Sequence, residues 1–355
     1  MSASCPGSTG NVAAAAGVGK KFCTNQCDFF PGMDKERPRG SPPEPAGCLR
    51  VGATRRGEDT MGRVTARRPV VRVREGAVST RPDTLVTEEP LEIRLGGRPL
   101  AVTMRTPGDD FALATGFLVS EGVVGAAGDI AGISYCGEAR DEDGARTYNT
   151  VDVRLAPHVP APDIAGLERN VYTTSSCGLC GKASLDAVRT TARWELDRER
   201  PHGVGTGLLA RLPDRLRAAQ RVFDRTGGLH AAALFSATGE LLDVREDVGR
   251  HNAVDKVVGR ATRDGALPLR DALLMVSGRA SFELAQKAVM AGIPVLAAVS
   301  APSSLAVDLA EEAGLTLVGF LRGSSMNIYA GSHRLALPAA SAEAASTAEP
   351  TAGAD

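Results

Sequence analysis

Aromatic residues and net charge are both scarce in this sequence. Phe, Trp and Tyr make up 4% of the 355 residues, and 41 Lys and Arg against 42 Asp and Glu leave a formal charge of −1. Surfaces that bind nucleic acid are basic and often stack bases on aromatic side chains. The composition therefore argues against nucleic acid as a partner.

Long apolar runs are also lacking. No stretch approaches the roughly 20 apolar residues that a membrane-spanning helix needs. The apolar stretch at residues 13–18 is short and follows no basic residue, unlike the core of a secretory signal. We therefore predict a cytoplasmic protein with no membrane segment, in a compartment where thiols stay reduced.

Large apolar residues are rare at both ends of the chain. Residues 1–61 and 338–355 are rich in small residues and proline and cannot bury a core, so we predict a disordered extension and a disordered tail. Met61 stands where the regular pattern begins and is an alternative start of the protein. The seven cysteines are unevenly spread, which is not the framework of a disulfide-rich secreted domain.

Between these ends the sequence predicts two domains. Residues 62–171 carry short strand patterns and one helix with an apolar face, which predicts a small α+β domain. Residues 172–337 alternate strands and helices, which predicts an α/β domain.

The second domain opens with the most informative segment, Ser176-Cys177-Gly178-Leu179-Cys180-Gly181-Lys182. Two thiols lie two residues apart between glycines, and the residues from Lys182 to Arg193 are predicted to form a helix. The amide groups and dipole of a helix N-terminus stabilise a thiolate, as does a nearby lysine. Because the thiolate is the form that attacks sulfur or binds metal, we expect sulfur chemistry here.

The residues alone leave three interpretations of this C-x-x-C open. A zinc site needs two more ligands, of which Cys136 could be one, but the folded part has no second close-spaced pair. A dithiol redox centre is possible, although the surrounding order is not that of thioredoxin. In the third interpretation one thiolate carries sulfur as a persulfide.

Zinc-dependent deamination does not fit the sequence. Zinc nucleobase deaminases combine H-x-E with P-C-x-x-C. None of the five histidines is followed two residues later by Glu, and Ser176 rather than proline precedes Cys177.

The end of the second domain has a regular β-α-β-α-β pattern. Three strands are predicted at Leu273–Val276, Pro294–Val299 and Thr316–Leu321, with helices at Phe282–Ala291 and Leu305–Ala313 between them. This order implies parallel strands with right-handed crossovers. The loops after the three strands then meet at the sheet edge where ligands bind in open α/β sheets.

These three loops have a composition suited to phosphate. Each offers small residues, hydroxyls and backbone amides, and Arg279 and Arg322 add guanidinium groups. Helix N-terminal amides with a forked guanidinium bind phosphate, although Ser and Gly at such positions also serve simply as caps and turns. We expect a nucleotide or another phosphorylated ligand at this edge.

A further candidate is the charged segment from Glu246 to Lys256. On a helix, His251 and Asp255 share a face, so the carboxylate could orient the imidazole to donate to a ligand or move a proton. The alternative is a solvated charged helix with Ala253, Val254 and Val257 facing the core.

Four sequence blocks together resemble one known family. They are TPGDDFALATGFLVSEG (Thr106 to Gly122), TTSSCGLCGKASL (Thr173 to Leu185), EDVGRHNAVDKVVG (Glu246 to Gly259) and the long block from Ser277 to Gly323. On these blocks the chain resembles the formate dehydrogenase accessory sulfurtransferase family, FdhD, from about Arg63 to Leu335.

The resemblance implies a fold and a reaction. The second domain would be cytidine-deaminase-like, with three layers and a mixed, partly parallel sheet but no zinc, and the protein would be a homodimer. A cysteine desulfurase would place sulfur on Cys177 as a persulfide. The protein would pass this sulfur to the molybdenum (or tungsten) bis(molybdopterin guanine dinucleotide) cofactor, which formate dehydrogenase requires.

The resemblance also places the cofactor. The family's cofactor-binding stretch matches Phe320-Leu321-Arg322-Gly323-Ser324-Ser325, the third of the sheet-edge loops. From side-chain chemistry, Cys180 would assist transfer or resolve the persulfide and Lys182 would stabilise the thiolate. Arg279 and Arg322 would hold phosphates, and His251 would contact the cofactor or donate a proton. The alternatives are a cofactor-binding chaperone without sulfur transfer and a thiol-disulfide oxidoreductase.

Overall fold

The computed structural model describes residues 49–50, 64–136, 147–163, 185, 187–188, 191–201 and 203–338. The thiol loop with Cys177, Cys180 and Lys182 lies outside these residues, as do nearly all of the predicted disordered tail and of the predicted extension. No helix in the described ranges has both the length and the apolar character needed to cross a membrane.

The described residues form strands, helices and two short 3-10 turns, at Ala127–Asp129 and Ser332–Arg334. The strands are β1 (Leu49–Arg50), β2 (Thr65–Arg74), β3 (Ala77–Val86), β4 (Glu89–Leu95), β5 (Arg98–Arg105), β6 (Ile130–Tyr135), β7 (Thr150–Leu155), β8 (His230–Ser236), β9 (Leu241–Asp247), β10 (Ala272–Val276), β11 (Val295–Ala298), β12 (Thr316–Arg322) and β13 (Ser325–Ala330). The helices are α1 (Asp110–Ser120), α2 (Thr206–Leu209), α3 (Leu212–Ala219), α4 (Phe223–Thr226), α5 (Arg250–Arg263), α6 (Phe282–Met290) and α7 (Ser304–Ala313).

The first sheet has the strand order β1-β6-β7-β4-β5 and is antiparallel except between β4 and β7. Strands β4 and β5 are joined by Gly96 and Gly97, both at positive φ (58° and 84°). Glycine adopts this conformation at little cost, so two residues suffice for the hairpin turn. Strand β5 lies at one edge of this sheet.

The second sheet has the strand order β13-β12-β11-β10-β8-β9. Strands β10, β11 and β12 are parallel, which confirms the predicted β-α-β-α-β unit, while β8 and β13 run against their neighbours. Because β9 is antiparallel to β8, it runs in the same direction as β10. Four strands therefore end at one edge, and helices α5, α6 and α7 follow three of them.

The central strands of the second sheet are buried on both faces, and β10 shows this residue by residue. Leu274 and Val276 belong to the core cluster that includes α1, α5, α6 and the inner face of the first sheet, whereas Leu273 and Met275 belong to the cluster packed against α3. Alternate residues of a strand point to opposite faces, so a strand buried on both sides is apolar throughout. This mixed α/β architecture, with a mixed and partly parallel second sheet, agrees with the predicted fold class.

Helices α1 and α5 lie in close contact, although they come from the two predicted domains. A Cβ atom on Gly116 of α1 would overlap the backbone carbonyl of Asp255, and a Cβ on Gly259 of α5 would overlap the carbonyl of Ala112. The two glycines therefore permit a backbone-to-backbone approach that no other residue allows. The predicted boundary at residues 171 and 172 lies outside the described residues.

Candidate functional site

Three helix N-termini lie at the carboxyl edge of the second sheet. Helices α5, α6 and α7 have 14, 9 and 10 residues and begin after Gly249, Ser281 and Ser303, directly beyond strands β9, β10 and β11. The free amide groups and the positive dipole ends of helices favour anions. The strand directions therefore gather three partial positive charges at one edge, which we call the sheet-edge site.

Backbone hydrogen bonds bring the three predicted loops together at this site. Ala280 N–H donates to the carbonyl of Ala301 over 3.2 Å, and Ser303 N–H donates to the carbonyl of Ala280 over 3.0 Å. Phe320 N–H donates to the carbonyl of Ser300 over 3.2 Å. The loops following β10, β11 and β12 thus form one continuous surface, as the sequence predicts.

The third of these loops differs in form from the prediction. Arg322 is the last residue of β12 and Ser325 the first of β13, so Phe320–Ser325 is the end of a β-hairpin closed by Gly323 and Ser324. The Leu321 side chain is fully buried in the core, whereas Arg322, Gly323, Ser324 and Ser325 are exposed. The sequence prediction missed β13, although Met326, Ile328 and Ala330 alternate with the exposed Ser325 and Asn327 as in a half-buried strand.

The backbone is irregular where β12 reaches the site. Phe320 has a φ of 52°, in the left-handed region that non-glycine residues rarely adopt, and the register with β13 shifts between Gly319 and Arg322. A Cβ on Gly319 would lie 3.0 Å from Pro302 and 3.1 Å from the carbonyl oxygen of Ser300. The close approach turns the Phe320 side chain outward, with 39% of its surface exposed. Backbone strain of this kind is concentrated at functional sites.

His251 lies in the first turn of α5 and faces the N-terminus of α6. Its Nε2 atom lies 3.3 Å from Ser281 Oγ and 3.6 Å from Glu283 Oε2. The hydrogen bond from His251 lowers the pKa of Glu283 to about 2, against an opposing effect of burial. Glu283 therefore stays ionised and orients the imidazole at the site.

The predicted partner of His251, Asp255, lies elsewhere. Both Asp255 carboxylate oxygens accept hydrogen bonds from Lys287 Nζ, over 2.7 and 2.8 Å, and Oδ1 also accepts one from the Ser120 hydroxyl. The orienting role predicted for Asp255 is wrong, because Lys287 on α6 engages its carboxylate below the site. The partner that does orient His251 is Glu283, which is 32 residues away in the chain.

The alternative of a solvated charged helix is also wrong for α5. Ala253, Val254 and Val257 are fully buried, as that alternative predicted, but Lys256 and Asp255 are 1% and 3% exposed. Asp255 and Lys256 of this helix are therefore paired inside the protein.

A buried network fixes the start of α5. Asp247 forms a salt bridge of 2.7 Å with Lys256 and accepts hydrogen bonds from the backbone N–H groups of Thr106 and Gly249 and from the Asn252 amide. Lys256 also donates to the Thr106 carbonyl over 2.8 Å. Buried charges are tolerated when they are paired and hydrogen-bonded in this way. The network ties the segment after β5 to the segment that carries His251.

His230 and Arg250 belong to the site but were not predicted for it. His230 begins β8, and because β8 is antiparallel to β10 its first residue lies at the same edge. Burial lowers the pKa of His230, and the nearby Arg250 and His251 lower it further against an opposing effect of Asp247, so the protonated ring is disfavoured. A Cβ on Gly278 would lie 3.5 Å from His230 Nδ1 and 3.8 Å from Arg250 Cδ, which places both side chains against the loop after β10.

Arg250 has an unsatisfied donor. Its Nε atom is buried and, in the part of the chain that the structure describes, has no hydrogen-bond partner. A buried unpaired donor is costly, so its presence beside three helix N-termini suits a site that takes an acceptor group. Arg250 lies in the charged segment from Glu246 to Lys256, which the sequence already marked as a candidate, whereas no sequence pattern marked His230.

Arg279 and Arg322 both lie at the site and are exposed. Arg279 is on the loop after β10 and Arg322 at the end of β12, so the two guanidinium groups come from different loops of the same edge. Their placement is consistent with contacts to a ligand approaching from solvent.

The thiol part of the predicted site, Cys177 and Cys180, falls outside the described residues. Of the predicted helix behind it, Leu185, Ala187, Val188 and Thr191 are helical. Cys136, the third zinc ligand considered above, is disulfide-bonded. Within the described ranges, no group of three or more His, Cys, Asp or Glu side chains is placed to hold a metal ion.

The sequence blocks that build this site are shared with a known family. The FdhD/NarQ family profile matches residues 86–336. The chain belongs to the FdhD/NarQ family. It is 76% identical over 283 residues to the sulfur carrier protein FdhD of Streptomyces avermitilis, covering 80% of this chain and 100% of that protein. It is 61% identical to the protein of the same name from Mycolicibacterium paratuberculosis, covering 77% of this chain and 99% of that protein.

A solved structure shares the fold of this FdhD/NarQ family member. It is a protein from Desulfotalea psychrophila described as a formate dehydrogenase accessory protein. The TM-score is 0.59 at 23% sequence identity, and the alignment covers 77% of this chain and 100% of that chain.

Proposed function

We propose that this protein is a sulfur carrier in the maturation of formate dehydrogenase. It receives sulfur from a cysteine desulfurase as a persulfide on Cys177 and transfers it to the molybdenum (or tungsten) bis(molybdopterin guanine dinucleotide) cofactor. Relatives that are 76% and 61% identical are named sulfur carrier proteins, and the fold is shared with a formate dehydrogenase accessory protein. The proposed location is the cytoplasm.

The observation that carries the acceptor half of this proposal is the convergence of three helix N-termini at the sheet-edge site. A guanine dinucleotide brings phosphate groups, and phosphate suits backbone amides at helix N-termini. The buried Nε of Arg250 offers one further donor. The exposed guanidinium groups of Arg279 and Arg322 suit bidentate contacts with phosphate oxygens. The residues present therefore fit a polyanionic acceptor substrate.

The side chains at the sheet-edge site have different roles in this proposal. The hairpin end at Phe320–Ser325 contributes backbone amides and hydroxyls, while Leu321 anchors it in the core. Glu283 orients His251, which can donate a hydrogen bond or a proton to the bound ligand. The lowered pKa of His230 disfavours a second positive charge beside Arg250.

The donor half of the proposal rests on Cys177, the first cysteine of the pair, as the family resemblance implies. The desulfurase delivers a sulfur atom that becomes the outer sulfur of a persulfide. Transfer breaks the S–S bond and leaves the bonding pair on Cys177 Sγ as a thiolate. The acceptor supplies the electron pair for the new bond to the outer sulfur. Cys180 is proposed to assist this step or to resolve a stalled persulfide.

The first experiment measures sulfur loading and nucleotide binding separately. Reduced protein is incubated with a cysteine desulfurase and cysteine, and intact and peptide masses are recorded. We expect a gain of one sulfur atom on Cys177 that reductant removes, and no gain in Cys177→Ala. Arg322→Ala should gain the same sulfur but bind guanosine diphosphate more weakly, by about tenfold for one lost charge-assisted contact.

The outcomes separate the alternatives. A wild-type protein that binds guanosine diphosphate but never gains sulfur would be a cofactor-binding chaperone. A disulfide between Cys177 and Cys180, with no added sulfur and no nucleotide binding, would favour a thiol-disulfide oxidoreductase. Full formate dehydrogenase maturation by Cys177→Ala would overturn the proposal.

A further inference from the structure

The segment that follows the two thiols is anchored at its C-terminal end. Leu185, Val188 and Thr191 are helical, and the Ala192 N–H donates the last helical hydrogen bond, to the carbonyl of Val188 over 2.8 Å. Val188 is 3% exposed and belongs to the larger apolar cluster. Arg193, the residue directly after this end, makes polar contacts with a distant part of the chain.

Arg193 joins this segment to residues 122–129 of the first predicted domain. Its Nη2 atom donates to the carbonyl of Val123 over 3.1 Å and to the carbonyl of Gly122 over 3.5 Å, and its Nη1 atom lies 3.5 Å from Asp129 Oδ2. A guanidinium presents several N–H donors in a fixed plane, so a single side chain holds all three acceptors. We call these contacts the Arg193 clamp.

The acceptor side of the clamp is fixed by its own hydrogen bonds. Asp129 Oδ2 accepts hydrogen bonds from the backbone N–H groups of Gly125 and Ala126, over 2.8 and 3.1 Å. Burial acts to raise the pKa of Asp129, but these bonds and the contact with His158 outweigh it and lower the pKa, so the carboxylate is ionised at neutral pH. A Cβ on Gly125 would lie 2.6 Å from Arg193 Cδ, so this glycine leaves the space that the arginine occupies.

The clamp lies at the opposite end of α6 from the sheet-edge site. Helix α6 begins after Ser281 at that site and ends at Met290, a length of nine residues. A Cβ on Gly122 would lie 3.3 Å from Met290 Cε and 2.1 Å from Thr191 Cγ2, so the end of α6 and the end of the helical segment meet there. At a rise of about 1.5 Å per residue, nine residues place this meeting point about 13 Å from the site.

The predicted length of the segment matches this distance. The sequence predicts a helix from Lys182, and its ten residues as far as Thr191 would span about 15 Å. The described helical residues of the segment line a cavity together with Val289 of α6 and Leu309 of α7. The segment therefore lies against two helices that both begin at the sheet-edge site. An anchor at Thr191 leaves enough chain for Cys177, 14 residues earlier, to reach that site.

We propose that Arg193 is a positioning residue for the sulfur transfer proposed above, on which this role depends. Its clamp fixes the point from which the thiol segment reaches the sheet-edge site. Arg193 takes no part in the bond changes: the S–S bond of the persulfide breaks, its electron pair stays on Cys177 Sγ, and the acceptor supplies the pair for the new bond. A misplacement of about 1 Å is enough to slow a reaction about 100-fold, so loss of the anchor slows transfer without blocking sulfur loading.

The experiment measures sulfur loading and sulfur transfer separately in full-length variants. A cysteine desulfurase and cysteine load the protein, and the sulfur on Cys177 is measured by mass and by its release to cyanide as thiocyanate. Cyanide attacks the outer sulfur from solvent and does not need the clamp. We expect Arg193→Ala to load sulfur, release thiocyanate and bind guanosine diphosphate like the wild type. In cells that carry it as their only copy, it should lower formate dehydrogenase activity about 10- to 100-fold. Arg193→Lys keeps the charge but fewer donors and should give an intermediate activity.

Glycine and arginine variants provide matched controls. Gly125→Ala displaces the Arg193 side chain without removing it and should reproduce the transfer defect. Gly128→Ala lies in the same turn, with nothing within 4 Å of the new Cβ, and should leave activity unchanged. Arg200→Ala removes an exposed salt bridge with Asp271 further along the same segment and should also leave activity unchanged.

Hydrogen exchange tests the anchor without any sulfur. The Ala192 amide should exchange about tenfold faster in Arg193→Ala and Gly125→Ala than in the wild type, because the end of the helix opens more often. Wild-type formate dehydrogenase activity with sulfur-loaded Arg193→Ala would overturn the positioning role. Equal losses of loading and activity, or a Gly128→Ala defect as large as that of Gly125→Ala, would also overturn it. A wild-type protein that gains no sulfur on Cys177 would overturn the proposed function and this role with it.

Discussion

Glu283 is a carboxylate at the sheet-edge site whose ionisation depends on a specific contact, the one with His251. Their atoms approach to 3.6 Å across the gap between α5 and α6, and the contact keeps the pKa of Glu283 near 2. A depressed carboxylate pKa stabilises the folded state above the pKa of the unfolded chain, and this stabilisation is lost as pH falls toward the folded value.

Glu283→Gln should therefore change the acid dependence of stability. In the wild type, the contribution of Glu283 is complete above about pH 4.5, its ordinary pKa, and declines between there and about pH 2. The variant lacks this decline, so its free energy of unfolding should approach that of the wild type as pH falls. Urea unfolding at a series of pH values measures the difference. Glu311→Gln, on the exposed side of α7, is the control, and parallel curves for Glu283→Gln and wild type would contradict the assignment.

The buried salt bridge between Lys287 and Asp255 leads to a second prediction, for the cost of removing one charged partner. Their side chains are 9% and 4% exposed, so Lys287→Met leaves a carboxylate buried without its cation. We expect a loss of about 3–5 kcal/mol in the free energy of unfolding. Arg260→Met removes the exposed pair with Asp264 and should cost well under about 1 kcal/mol. Equal losses of unfolding free energy in Lys287→Met and Arg260→Met would show that burial of the ion pair does not determine the cost of breaking it.

The positions of the helices and strands were easier to predict from the sequence than the contacts between side chains of different elements. The β-α-β-α-β pattern was correct because apolar runs and their spacing are local signals, and the strands buried on both faces are continuous apolar segments. Asp255 was misassigned because its true partner, Lys287, comes from another helix, and no spacing rule links residues 32 positions apart. The hairpin at Phe320–Ser325 was predicted as a loop because its Gly and Ser residues are typical of loops, and the apolar alternation of β13 spans only six residues. The gathering of loops at one edge followed from strand direction, which topology rules do supply.

The close packing of α1 against α5 leads to a prediction about the stability of the protein. Gly116→Ala should lower the free energy of unfolding by about 1–3 kcal/mol, because the added methyl group forces two backbones apart. Alanine would otherwise stabilise a helix by about 1 kcal/mol relative to glycine. Gly207→Ala in α2, where nothing lies within 4 Å of the new Cβ, is the matched control and should be neutral or stabilising. Urea unfolding at neutral pH distinguishes the two, and a stabilised Gly116→Ala would contradict the described packing.

The larger of the two apolar clusters joins residues from both predicted domains. Leu91 and Ile93 of the first sheet belong to the same cluster as Leu274 and Leu296 of the second. The sequence predicted each set of elements but not their common core, because the α1 and α5 glycines carry no pattern that marks them as a pair. The family resemblance identified the chain from four blocks, and the structure shows that two of these, around Thr106 and Asp247, meet through buried hydrogen bonds.

The same hydrogen bonds have a consequence for synthesis on the ribosome. Thr106 and Asp247 are 141 residues apart, and α1 is buried only once α5 has been made. At a synthesis rate of about 5–20 residues per second, the apolar side of α1 waits roughly 7–28 s for its partner. The first sheet and α1 must remain soluble during this interval without their final cover. Chaperone dependence of the nascent chain should accordingly end when residues near α5 leave the exit tunnel.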